Sequence, residues 1–306
     1  MPDAGAVRAP RHARPDALLR FLRSPKGQLT LVLLVLLAAA SIGTGLAPVV
    51  PGVLAACAAG VLLDLPILRV REKRWVFPSG ALLTGMIVAM VLSPQEPWYV
   101  AAVTTALGVG SKYVLRSASA NTFNPAALAL VASFYLFDSG QSWWGALPEL
   151  PPATIVLLVA AGLYIADRVS KTPAVLAFLG SYFLLFTLVA YVGDPARAAE
   201  LFRAPDVHAA LYFAFFMVSD PPTSPPRSRE QVIFGVTTGV VSFLAFELIG
   251  AAWWLPGGLL VANAWEGWRR FRVRTRRAQQ RAAQTVDQRA ARAASREAAR
   301  RTDAPA

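Results

Sequence analysis

The chain has 306 residues, 55% of them hydrophobic and only 16% charged. Soluble domains carry about 25% charged residues, so the composition argues against one. A single cysteine excludes intrachain disulfides, Cys₄ zinc sites and iron–sulfur cages. The net charge of +12 invites a nucleic-acid reading, which the placement of the charges argues against.

The apolar residues form long uncharged blocks divided by short polar or Pro-rich breaks. A helix needs about 17–25 mostly apolar residues to cross about 30 Å of hydrocarbon, and it satisfies its own backbone there. The expected fold is therefore an all-α integral membrane protein of about ten transmembrane helices. Residues 1–28 form a basic cytoplasmic segment ahead of the first span, Leu29–Ala47. Ala38-Ala39-Ala40 has the composition of a signal-cleavage site, but the apolar block runs on to Leu46, so it is read as a retained span. The next spans are Val49–Leu68, Val76–Leu92, Trp98–Leu115 and Asn121–Phe137. Then follow Pro151–Ala166, Pro173–Val192, His208–Val218, Gln231–Ala251 and Trp253–Trp265. Residues 29–268 thus make the transmembrane domain, and residues 269–306 a basic, Arg/Ala-rich cytoplasmic tail. Cys57 is read as a small buried hydrophobe, and Trp143 and Trp144 as interfacial anchors. His12 and His208 are too isolated to suggest a metal site.

Charge placement tests this map. With the N-terminus inside, every Lys and Arg except Arg197 and Arg203 falls on the inner side. That is the asymmetry expected of a chain in the bacterial cytoplasmic membrane with both termini cytoplasmic. Adding or dropping one span would invert everything after it. The tail is expected to be a helix or arm drawn to the anionic headgroups of membrane lipids, ahead of a partner protein or nucleic acid.

Several spans are marked by Pro or Gly. The third opens on Pro78-Ser79-Gly80, and the fifth on Asn121-Thr122-Phe123-Asn124-Pro125. The eighth is short and runs into Asp220-Pro221-Pro222-Thr223-Ser224-Pro225-Pro226, and the tenth carries Pro256-Gly257-Gly258. The third and eighth, and the fifth and tenth, hold matching places in two halves of five. An odd number of spans per half makes the halves inverted, a 5+5 inverted repeat with broken helices. Interrupted segments at matching places point to a central binding site.

Three clusters stand at these breaks. In the first, Ser79 and Thr84 bring hydroxyls into a stretch of small residues, which serves close helix packing or a flat ligand. In the second, Pro125 suits a first helical turn and Asn124 its N-cap, while Asn121 is not needed for the cap. A helix N-terminus at membrane depth offers free N–H groups to an anion. In the third, Asp220 follows an aromatic run, with Thr223 and Ser224 beyond it, either as a functional carboxylate or as a solvated turn. No P-loop, dinucleotide fingerprint, metal-ligand spacing or nucleophile elbow occurs.

The motifs at Ser79–Gly85, Asn121–Ala127 and Phe216–Pro225 together resemble the RnfD and NqrB membrane subunits, of the Rnf electron-transport complex and of the sodium-pumping NADH:quinone oxidoreductase. The likeness covers roughly Val70 to Trp268, including Phe234-Gly235 and the stretch from Gly257 to Asn263. It implies many spans with inverted halves, flavin binding, and electron transfer between partner subunits coupled to ion movement. The family's Ser/Thr-Gly-Ala-Thr motif, whose last Thr holds FMN through a phosphoester, does not occur in this chain. In its place stands Phe137-Asp138-Ser139-Gly140-Gln141-Ser142-Trp143-Trp144, with Ser142 at the acceptor position and Gln141 for the alanine. Short relatives of this kind also resemble membrane proteins encoded beside enediyne-type pathways. The expectation is FMN or riboflavin, or a quinone, held without a covalent bond by Ser79, Thr84, Asn121, Asn124, Asp220, Thr223 and Ser224, with Lys112 facing a phosphate or anionic flavin. The rival readings are a non-redox transporter or channel, and a scaffold that docks a partner through the basic tail.

Overall fold

In the computed structural model, residues 17–116, 121–192 and 202–302 are described, together with Pro195 and Ala199. His12 and Arg197 lie outside the described residues. Among those described, every regular element is a helix, apart from the isolated bridges Leu92–Gln141 and Arg116–Asn121. Helix α1 (Ala17–Arg23) precedes α2 (Pro25–Thr44). The start of α2 follows from its residues: Ser24 Oγ accepts the Gly27 N–H at 3.1 Å, and Pro25 fills a first turn that needs no N–H. Gly45, at φ +90°, turns the chain into α3 (Leu46–Glu72). Then come α4 (Ser79–Val91), α5 (Trp98–Val114), α6 (Pro125–Phe137), α7 (Ile155–Arg168) and α8 (Thr172–Val192). Helix α9 (Asp206–Phe213) closes in a π turn, Ala214–Val218. Helix α10 (Ser228–Leu244) closes in another, Ala245–Ile249, before α11 (Trp254–Thr302).

Each segment expected to span thus meets one helix from α2 to α11. Among the described residues, α2, α3, α8 and α10 with its π turn are long and apolar enough to cross a membrane by themselves. Helices α4 and α6 have 13 residues each. At 1.5 Å per residue that is about 20 Å, short of the hydrocarbon thickness.

Burial sorts these elements. Most of α4 from Ala81 to Val91 is buried, and so is the end of α9 from Phe213 to Val218. The long helices instead turn Leu31, Leu34, Leu54, Leu62, Leu176 and Leu184 outward. Continuous apolar surface on long helices is what a lipid environment tolerates and water does not. Helix α4 and the end of α9 are therefore the interior of the bundle.

The packing has a repeating plan. Helix α3 lies against α4 and α5, and α5 against α6. Helix α8 lies against the π turn of α9 and against α10, and α10 against α11. Helices α2 and α7 touch, as do α6 and α11. In both series a glycine brings the last two helices together. A Cβ on Gly108 of α5 would lie 2.7 Å from the Pro125 carbonyl, and one on Gly258 of α11 would lie 2.8 Å from the Thr238 carbonyl of α10. Small residues permit this backbone approach.

Two expectations change. Trp143 and Trp144 are not interfacial anchors, since each is 3% exposed. The loop after α6 tucks inward, where Trp144 Nε1 donates to the Ala89 carbonyl at 2.8 Å and Trp143 meets Tyr212 and Phe213 edge-on. Left-handed Asp138, Trp143 and Leu147 make that inward turn. Pro256-Gly257-Gly258 does not break the tenth segment either, because Pro256 stands in the first turn of α11, as Pro125 does in α6. The basic tail continues α11 without a break as far as Thr302.

Candidate functional site

Asn124 caps α6, its Oδ1 accepting the Ala127 N–H at 3.0 Å. Its own backbone N–H donates to Asn263 Oδ1 of α11 at 2.8 Å, and its Nδ2 to the Met217 carbonyl at the end of α9 at 3.3 Å. Asn263 Nδ2 donates in turn to the Thr223 carbonyl at 3.3 Å. Two asparagines therefore join α6, the end of α9, the loop after it, and α11 at one buried point.

The loop Asp220–Pro226 owes its shape to its composition. Its four prolines have no N–H, so turn bonds must come from Thr223 and Ser224. Thr223 Oγ1 donates to Asp220 Oδ2 at 2.8 Å, and Ser224 Oγ to the Asp220 carbonyl at 2.7 Å. The loop carbonyls need donors from elsewhere. Lys171 Nζ reaches the Pro225 carbonyl at 2.6 Å, and Arg270 reaches those of Pro222 and Ser224 at 3.0 and 2.9 Å.

Asp220 is half-buried. Burial pushes its carboxyl above the usual carboxylate range, while the Thr223 hydroxyl and then Lys112, Lys171 and Lys26 pull it back. Burial lowers the Lys171 ammonium, and Arg270 lowers it further, against Asp220 and Glu266.

Of the residues singled out in the sequence, Asn124, Asp220, Thr223 and Ser224 meet through this network. Lys112, near the end of α5, is within electrostatic reach of Asp220 and of the buried Asp64, which accepts the Tyr113 hydroxyl. Ser79 opens α4 beside it. The neighbouring Gly80 leaves space in front of Lys112, since a Cβ there would sit 3.7 Å from Nζ. Asn121 stands ahead of the cap, bridged to Arg116. Thr84 is turned inward, and its hydroxyl is held by the Gly80 carbonyl at 2.8 Å.

Lys171 and Glu266 are polar residues of the joint that the motifs did not single out, and Asn263 entered the sequence reading only as the end of the Gly257–Asn263 stretch. Glu266 is 1% exposed and pairs with Arg269 and Arg270, each at 2.7 Å. Their signal was positional. Leu255, Leu259, Ala262 and Glu266 recur at helical spacing on one buried face, with Asn263 beside them, so two polar residues sit on an apolar stripe.

The residues at this inner joint suit a non-covalent flavin. Lys112 Nζ stands 3.7 Å from where a Cβ on Gly80 would lie, Asp220 is within its electrostatic reach, and Ser79, Lys112, Asn121 and Asp220 are all only half-buried. At the family's acceptor position, Ser142 Oγ is enclosed without a hydrogen-bond partner, and the Ser142 and Trp143 N–H groups both donate to the Val91 carbonyl.

The model of the NQR2, RnfD, RnfE family matches residues 23–149 and 141–253. The chain is similar to the D-type subunit of the ion-translocating oxidoreductase complex of Stutzerimonas stutzeri, with 34% identity over 259 residues, covering 61% of this chain and 73% of that protein. The subunit of the same name from Pseudomonas paraeruginosa is 26% identical over 246 residues, covering 62% and 70%. That from Tolumonas auensis is 25% identical over 238 residues, covering 54% and 68%.

Proposed function

Because this multi-pass membrane chain belongs to the NQR2, RnfD, RnfE family, we propose that it is the membrane subunit of an electron-transport complex, holding FMN or riboflavin non-covalently and passing electrons between partner subunits in step with ion movement. The observation that carries this reading is the asparagine joint, which gathers the motif-bearing parts of α6, α9 and α11, with Lys112 in electrostatic reach of Asp220. A bound flavin supplies the capacity to accept and release electrons singly or in pairs. Lys112 would face its phosphate or anionic ring edge, and Ser79 and Asn121 would bond its polar rim. Asn124, Asp220, Thr223 and Ser224 hold the joint in shape, with Thr84 behind them. A quinone headgroup suits the same polar rim.

The same proposal includes ten crossings, both termini in the cytoplasm, and two inverted halves of five. The repeated packing plan of α3–α6 and α8–α11 supports the halves, and the placement of Lys and Arg supports the orientation. A second reading, a transporter without redox chemistry, draws support from the charges of Asp64, Lys112 and Asp220 at the ends of spans.

The test is the absorbance of the purified protein and its melting with added FMN, riboflavin or a short-chain quinone. Flavin should be released by denaturation and leave no fluorescent band in a denaturing gel. One of the ligands should raise the melting temperature, as a ligand of the native state does. Asn121→Ala should keep the fold and lose that shift. If no flavin is present and no ligand shifts the wild-type melt, the transporter reading replaces this one. A fluorescent band that vanishes in Ser142→Ala would overturn non-covalent attachment.

A further inference from the structure

Beyond the joint, a cavity of about 490 Å³ opens between the Pro-rich loop, the start of α10 and the part of α11 that follows the bundle. Arg227, Arg269, Arg270, Arg274 and Arg277 line it, against two carboxylates, Glu230 and Glu266. Both carboxylates are already engaged. Arg269 forks onto Glu230 at 2.6 and 2.8 Å and also bonds Glu266, which Arg270 shares. Arg270 spends its remaining donors on loop carbonyls. Arg227 lies 3.9 Å from Glu230, at the limit of ion pairing. Among the described residues, Arg274 and Arg277 face the cavity with no carboxylate partner. The cavity thus holds guanidinium donors in excess, and guanidinium forks suit phosphate oxygens.

Its surroundings indicate which phosphate. Val273 gives the wall an apolar strip. Trp268 and Phe271 stand exposed on the same stretch of α11, with the Arg272 guanidinium 4.7 Å over the Trp268 ring. This is where the chain passes from apolar to charged, and exposed aromatics with arginines at such a level are typical of the headgroup layer. A soluble anion has no use for an apolar wall at the headgroup level, whereas a phospholipid uses it together with the guanidinium donors.

We infer that this cavity binds the phosphodiester headgroup of an acidic membrane lipid, with Arg274 and Arg277 as its principal donors and Arg227 at its rim. The lipid seals the cavity and fixes α11 to the Pro-rich loop that forms part of the joint. The inference rests on the membrane location and not on the flavin.

The experiment uses full-length protein in a neutral detergent, melted with added phosphatidylglycerol, phosphatidylcholine or inorganic phosphate. Phosphatidylglycerol should raise the melting temperature in a saturable way, and phosphatidylcholine should not. Arg274→Ala with Arg277→Ala should raise the half-saturating lipid concentration about tenfold or more, as removal of two headgroup-facing charges implies. Arg276→Ala with Arg281→Ala removes equal charge from outside the cavity and should leave it near wild type. An equal shift with phosphatidylcholine, an equal loss in the second pair, or full replacement by inorganic phosphate would each overturn the inference.

Discussion

Asn263 bonds two groups at the buried joint, the Asn124 N–H and the Thr223 carbonyl. Asn263→Leu keeps the number and branching of side-chain heavy atoms and removes both bonds. Leaving a buried polar group unpaired costs about 1–3 kcal/mol, so the change should cost no less than Asn124→Ala, which forfeits an N-cap worth about 0.5–2 kcal/mol and the bond to the Met217 carbonyl. Chemical or thermal unfolding of the two variants in one detergent checks the order. Asp220 gives a pH signature. Burial raises its folded carboxyl above the ordinary value, so the folded state holds the proton more tightly than the unfolded chain. That contribution is fully present at low pH and is lost as pH rises from the ordinary carboxylate range through the raised folded value. The melting temperature of Asp220→Asn minus that of wild type should therefore grow with pH across that window. A difference that shrinks would mean that the attraction of Lys112, Lys171 and Lys26 dominates. At this scale the sequence was legible where motifs concentrate polar residues, as at Asn121–Asn124 and Asp220–Ser224. Asn263 and Lys171 stand singly among ordinary neighbours, and only long-range contacts give them partners.

Helix α11 meets α10 through Gly258, where any side chain would run into the Ser242 N–H and the Thr238 carbonyl. Each lies 2.8 Å from where a Cβ would stand, and neither is able to rotate away. Gly258→Ala should push the two helices apart and destabilise the protein by about 1–3 kcal/mol, the usual cost of overpacking. Gly250→Ala is the informative contrast. It meets no atom within 4 Å but sits at φ +63°, so its cost arises from the backbone alone. Melting curves of both variants, with the flavin-induced shift as a second readout, separate them: only Gly258→Ala should also disturb the joint through Asn263. The existence of each helix could be read from block length and from breaks such as Ser24-Pro25 and Asn124-Pro125. Which helices face lipid could not. Ala81–Val91 and Leu31–Leu37 are both apolar, yet one is interior and the other partly exposed, because hydropathy scores burial in protein and in lipid alike. Trp143 and Trp144 misled for the same reason: an aromatic pair near a span end has the same composition whether it anchors at an interface or fills a core.

For the molecule as a whole, the orientation proposed from charge is checked by reporter fusions. Fusions after Gln95 and Glu149 should report the outer side, and fusions after Lys73 and Arg301 the cytoplasm. A cytoplasmic signal at Glu149 would refute the ten-crossing arrangement. Glu149 is the suitable outer position because Gly145 is packed against Met90 inside the bundle. The length of α11 has a mechanical consequence. Its 49 residues form one rod of about 74 Å at 1.5 Å per residue, and Asn263 lies near its inner end. Beyond Arg277, the last residue to line the cavity with the Pro-rich loop, the described side chains of that rod are exposed. It is therefore a lever with its fulcrum at the Glu230–Arg269–Glu266 clasp and its short arm at the asparagine joint. A load on the far end acts on Asn263 with mechanical advantage, so a protein that grips the tail has a direct purchase on the spacing of α6 and α11.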